Sequence, residues 1–109
     1  TGTILTSSDG ITWTSRTSGT SNFLRGFTYS NSTFITVGDN GTILTSTDAT
    51  TWTERTSGTS NNLRRVPYGN STFVIVGNSG TILTSSDATT WTSRTSGTGN
   101  NLNGVTYIE

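Results

Sequence analysis

The chain has 109 residues, enough for one small domain, and six basic against six acidic side chains leave it formally neutral. It has no Cys and no His, and all six cations are Arg, which excludes a disulfide framework, thiolate chemistry, a histidine general base and the usual zinc, haem and copper ligands. A neutral balance provides no electrostatic footprint for nucleic acid, and no apolar run approaches the roughly 18 residues of a membrane helix.

Only 28% of residues are hydrophobic, and Thr, Ser, Asn and Gly dominate. Thr favours strands, while Gly and Asn favour tight turns, so the composition reads as all-β. Thr1 is not a natural start, which suggests a processed chain or a piece of a longer one.

In chain order, residues 2–7 and 12–17 read as two strands. Two four-strand units follow at about 23–57 and 62–96, and a last strand runs from Leu102 to Ile108. In the most complete unit the strands are LRRVPY (63–68), TFVIV (72–76), TILTS (81–85) and TWTSRT (90–95). Their separators, Gly69-Asn70, Gly77-Asn78-Ser79-Gly80 and Asp87-Ala88-Thr89, are turn formers. Trp13, Trp52 and Trp91 recur at a constant spacing of 39 residues, as do Gly2, Gly41 and Gly80, and Asp9, Asp48 and Asp87.

A fixed period with four short antiparallel strands matches the blade of a β-propeller. Phe73-Val74-Ile75-Val76 is apolar at consecutive positions, as a strand buried on both faces requires. A parallel β-solenoid fits less well, because the hairpin turns imply antiparallel pairing. The expected organisation is therefore about three blades. Residues 1–22 form the third and fourth strands of a split blade, 23–61 and 62–100 are full blades, and 101–109 is the first strand of an incomplete one. The count is eleven strands, with one second strand missing. Unfinished blades expose apolar faces and strand edges, which favour pairing with another copy, as a closed ring or a filament.

The segments Ser7-Ser8-Asp9-Gly10-Ile11-Thr12-Trp13, Ser46-Thr47-Asp48-Ala49-Thr50-Thr51-Trp52 and Ser85-Ser86-Asp87-Ala88-Thr89-Thr90-Trp91 resemble the Asp-box, or bacterial-neuraminidase repeat. The family pattern is Ser-x-Asp-x-Gly-x-Thr-Trp. These copies are one residue shorter between Asp and Trp, and two lack the Gly. The whole chain is also similar to propellers of the photosystem II assembly-factor type. The resemblance implies that the box closes the hairpin between a blade's third and fourth strands, with Asp tying the turn and Trp packing into the blade. That structural role is favoured over glycan stacking by the Trp rings.

The resemblance to sialidases also invites a hydrolase reading, and the residues argue against it. Sialidases use an arginine triad, a Tyr nucleophile with its Glu partner, and an acidic general acid. Glu54 and Glu109 are the only glutamates, and Glu54 sits where Ser15 and Ser93 stand in the other copies. Arg16, Arg55 and Arg94 recur on the outer strand as edge charges that discourage aggregation. No catalytic residue, metal ligand or cofactor is assigned.

Arg25, Arg64 and Arg65 lie on inner strands near the channel of an assembled ring, with Asn103 matching in the last copy. With the loop residues Asn22, Asn61, Asn62, Asn100 and Asn101 they form a candidate ligand face, and Asp39, Asn40 and Asn78 lie on the same loops. Asn31-Ser32-Thr33, Asn40-Gly41-Thr42 and Asn70-Ser71-Thr72 match the glycosylation acceptor pattern through the preference of Asn for turns and Thr for strands. Pro67, where Thr28 and Thr106 stand elsewhere, points to an edge or unpaired position.

The expected function is a non-enzymatic scaffold that assembles with copies of itself. A consensus design would be more uniform and would not keep Pro67, although an engineered propeller fragment would share this pattern. The second expectation is a glycan-binding, adhesin-like module of the cell surface. A glycoside hydrolase ranks last. Neither nucleic acid nor membrane insertion is expected.

Overall fold

The computed structural model describes residues 1–106. These residues are built from strands and turns. β1 (Ile4–Thr6) and β2 (Thr14–Arg16) form a two-stranded antiparallel sheet. β3 (Leu24–Ser30), β4 (Thr33–Gly38), β5 (Thr42–Ser46) and β6 (Thr53–Arg55) form a four-stranded antiparallel meander in that spatial order. β7 (Leu63–Arg65), β8 (Tyr68–Gly69), β9 (Thr72–Gly77), β10 (Ile82–Ser85) and β11 (Thr92–Arg94) form the third sheet, ordered β11-β10-β9-β7 with β8 also pairing β9.

The turns explain the Asn-Ser and Gly positions. Asn31 and Ser32 have φ of 52° and 61°, and Asn70 and Ser71 have φ of 51° and 60°. Two successive left-handed residues match the twist of a two-residue hairpin. After β4 and β9, a 3₁₀ turn (Asp39–Gly41 or Asn78–Gly80) reverses the chain. Gly41 has φ 71°, and a Cβ there would lie 1.9 Å from the Thr59 carbonyl oxygen; Gly80 meets Thr98 in the same way. Only glycine lets the loop leaving the outer strand return so close to the inner end of its own sheet.

Pairing sorts the side chains into two faces per sheet. In the middle sheet Ile35, Val37 and Ile43 share one face, because Val37 pairs Ile43 and Ile35 pairs Thr45. Phe27, Tyr29, Phe34, Thr36 and Leu44 share the other, through the pairs Phe27–Thr36, Tyr29–Phe34 and Thr36–Leu44. In the third sheet Phe73, Ile75 and Leu83 line up on the face opposite Val74, Val76 and Ile82. One core joins the two sheets: Ile35, Val37 and Ile43 pack with Leu63, Val66, Phe73, Ile75, Leu83 and Ala88, all buried. Backbone approach is closest at the inner strands. A Cβ on buried Gly26 would lie 2.7 Å from the Arg64 carbonyl oxygen, so β3 and β7 nearly touch.

Pro67 divides the inner strand of the third sheet into β7 and β8. In the middle sheet Thr28 pairs Ile35. Pro67 stands at the matching place, and its carbonyl accepts the Val74 N–H at 3.0 Å. Its missing N–H would have pointed to the same partner, so the ladder loses one bond there. The strand is an edge, as the sequence suggested, but proline's gap faces β9 rather than solvent.

The strand expected from Leu102 to Ile108 does not form over its described part. Leu102 donates its N–H to the Gly77 carbonyl at 2.9 Å, and residues 102–106 then run without ladder bonds. Each other inner strand is held by a second strand beside it, and this segment has none. Residues 107–109 lie outside the described residues, including the C-terminal end of that expected strand and Glu109.

Ile43 is fully buried, whereas Ile11 is 82% exposed. Ile43→Ala is expected to lower unfolding stability by about 2–5 kcal/mol and Ile11→Ala by under about 0.5 kcal/mol, read from urea denaturation midpoints. Similar losses for the two would contradict the assigned core.

Candidate functional site

The three Ser-x-Asp turns share one hydrogen-bond pattern. Ser46 Oγ accepts the N–H groups of Asp48 (3.2 Å) and Ala49 (2.8 Å) and donates to Asp48 Oδ1 (3.0 Å). Asp48 Oδ1 also accepts the N–H of Thr50 (2.8 Å) and Thr51 (2.9 Å). Ser7 and Asp9 repeat this around Gly10, Ile11 and Thr12, and Ser85 and Asp87 repeat it around Ala88, Thr89 and Thr90. The position after Asp is left-handed in all three: Gly10 at φ 77°, Ala49 at 64° and Ala88 at 66°. The alanines are tolerated there although glycine would be less strained. Ala88 gains contact in return, since it is buried in the core.

These bonds act on the charged form of the carboxylates. The Thr12 N–H first, then the Ile11 N–H and the Ser7 hydroxyl, hold Asp9 below the ordinary carboxylate value. Thr51, Thr50 and Ser46 do the same for Asp48, and Thr90, Thr89 and Ser85 for Asp87.

The tryptophans are not equivalent. Trp52 and Trp91 are half-buried, donate Nε1–H to the Ala49 and Ala88 carbonyls at 3.1 Å, and meet Phe34 and Phe73 at centroid distances of 6.4 Å. Trp13 is 56% exposed. The sheet of β1 and β2 has no second strand to supply a matching phenylalanine, so the packing implied for Trp13 is not made.

The residues expected to form a ligand face are mostly bonded within the chain. Arg25 Nε donates to Asp39 Oδ1 at 2.5 Å, and this bond is the largest cause of the lowered Asp39 pKa. Arg64 Nε donates to Asn78 Oδ1 at 2.6 Å, and Arg65 reaches the Arg64 carbonyl at 2.8 Å. The amide groups of Asn22 and Asn61 donate to the Thr42 and Thr81 hydroxyls, at 2.9 and 3.0 Å. Asn40 Nδ2 donates to Asn22 Oδ1 at 3.0 Å. Asn62 Oδ1 accepts the Asn40 N–H from the preceding sheet at 3.0 Å, and Asn101 Oδ1 accepts the Ser79 N–H likewise. Asn100 is exposed and its N–H bonds Thr98 Oγ1. This set therefore stitches sheet to sheet and strand to strand. The recurring 14-residue step from Arg25 to Asp39 and from Arg64 to Asn78 was a sequence signal for such pairing.

Two concave regions were not anticipated. One is an apolar groove of about 340 Å³ beside β1, lined by Leu5, Phe27, Phe34, Ala49 and Trp52 among others. The other is a polar cleft of about 380 Å³ between the turn at Asp48 and the turn at Asp87. The chain gives no significant match to any family model, curated protein or solved structure.

The box carboxylates fix a pH dependence. Their pKa values are lower folded than unfolded, so their contribution is full above the unfolded value of 3.8 and is lost as pH falls through the folded values. Melting temperature should be level above about pH 5 and drop below about pH 4. Asp48→Asn should shrink that acid drop, and an unchanged acid limb would contradict the assignment.

Proposed function

We infer that the chain is a non-enzymatic scaffold of the Asp-box β-propeller kind, whose blades stack on blades of a second copy. The observation that carries this is one repeated position seen in three environments. Leu5, Leu44 and Leu83 are equivalent in the 39-residue repeat, and they are 53%, 1% and 1% exposed. Phe27 is 62% exposed where its counterpart Val66 is 2% exposed. The face that the third sheet buries against the middle sheet is thus only part-covered on the middle sheet, where Leu44 is buried and Phe27 is not, and open at Leu5 on the first sheet.

Burying a Leu or Phe side chain fully is worth about 1.5–3 kcal/mol, so Leu5, Phe27 and the half-exposed Tyr29 together supply a driving force for association. The face built from Val74, Val76 and Ile82 lies at the other end of the stack and is the natural partner, since it repeats the Ile35, Val37 and Ile43 face. Two different faces meeting head to tail generate a ring when the rotation closes and a filament when it does not. Close inner strands, as at Gly26 and Arg64, favour the wedge shape that a ring needs. The bonded state of Arg25, Arg64, Asp39 and the box aspartates supports structural rather than catalytic roles.

Native mass spectrometry of the 109-residue chain is expected to show discrete multimers or a growing series, and the Phe27→Ser/Tyr29→Ser pair to shift the population to the single-chain mass. A folded single chain at all concentrations would overturn the reading.

A further inference from the structure

We propose that the polar cleft between successive box turns is a binding site for neutral carbohydrate. The cleft is walled by Asp48 and Arg55 of the middle sheet and by Asp87 and Thr89 of the next one. Its floor is buried: Thr45 is 4% exposed, Ser46 5% and Ala88 2%. A volume of about 380 Å³ lies within the range of small-molecule sites.

The charged groups are oriented before any ligand arrives. The three bonds that each box makes to its carboxylate fall on Oδ1, for Asp48 and for Asp87 alike, so each Oδ2 is left for a ligand. Arg55 Nε donates to Thr45 Oγ1 at 2.9 Å, which fixes the guanidinium and leaves its terminal nitrogens. Such groups need no reorganisation on binding.

The residue types select the ligand class. Two carboxylates against one guanidinium disfavour an anion. The lining has no aromatic ring and little apolar surface, which disfavours a lipid or aromatic ligand. Threonine hydroxyls at 51, 53 and 89 both donate and accept, and their methyl groups meet C–H faces. Acceptors, one fixed donor group and dual-function hydroxyls match a sugar's vicinal hydroxyls.

The site is written into the repeat. A second cleft, lined by Asp87, Thr90, Thr92 and Arg94, repeats positions 48, 51, 53 and 55 one period later. It lacks the wall that a following box turn would add, and its volume is about 270 Å³. The first cleft lies wholly within one chain, so this proposal does not depend on assembly.

Saturation-transfer NMR and calorimetry against maltose, cellobiose, xylobiose and chitobiose would test it. At least one disaccharide should saturate in about the millimolar range, with Arg55→Gln weakening it about tenfold and Arg94→Gln much less. Thr53→Val, which keeps the shape and removes one hydroxyl, should also weaken it while the circular dichroism spectrum stays unchanged. Failure of all four sugars to bind, binding indifferent to Arg55→Gln and Thr53→Val, or a response to Ca²⁺ alone would each overturn the proposal. Native mass is read separately, so this site can fail while the scaffold stands.

Discussion

A four-stranded sheet that is apolar on both faces cannot be stable with either face in water, and the rest of the molecule depends on that constraint. β4 carries Phe34 and Thr36 on one side and Ile35 and Val37 on the other; β9 carries Phe73 and Ile75 opposite Val74 and Val76. Each sheet must be covered twice. Among the described residues only the joint between the middle and third sheets is complete, and there the core residues are buried almost without exception. The β1–β2 sheet covers only part of the opposite face, so Phe27 and Tyr29 remain in water.

Polar chemistry holds the repeat in register around that core. The Asp carboxylates close the outer hairpins, where a two-strand pairing would otherwise leave backbone N–H groups without partners. At the inner end, Asn62 and Asn101 accept N–H groups from the preceding sheet, so the stacking is fixed by direction as well as by burial. Every buried side-chain nitrogen and oxygen among the described residues has a hydrogen-bond partner. Low hydrophobic content is compatible with an ordered fold here because turns and stitches repeat at fixed geometry.

The sheets were legible in the sequence because their causes are local. Alternating and continuous apolar runs, Asn-Ser hairpin tips and the Ser-x-Asp turns each act within a few residues. Pro67 marks an edge for the same reason, but the run LRRVPY (63–68), expected as one strand, is split there into β7 and β8. Residues 102–106 form no ladder because strand propensity is satisfied only by a pairing strand, and no described strand pairs with them. The bonds of the Asn and Arg set are less legible, because Arg25 to Asp39 and Asn40 to Asn62 join residues 14 and 22 apart, across a turn or between sheets. The polar cleft went unseen since it arises between two turns of different sheets. The exposure of Trp13 likewise depends on which strands surround it.

In the proposed assembly the open face of β3 and β4 is covered by a like sheet from another copy. Hydrogen–deuterium exchange followed across a dilution series tests it most directly. Protection in Leu24–Ser30 is expected to rise with protein concentration, as is that of β9, whose Val74 and Val76 lie on the partner face, while β5, buried along its whole length, changes little in comparison. Equal protection of Leu24–Ser30 at every concentration would contradict it.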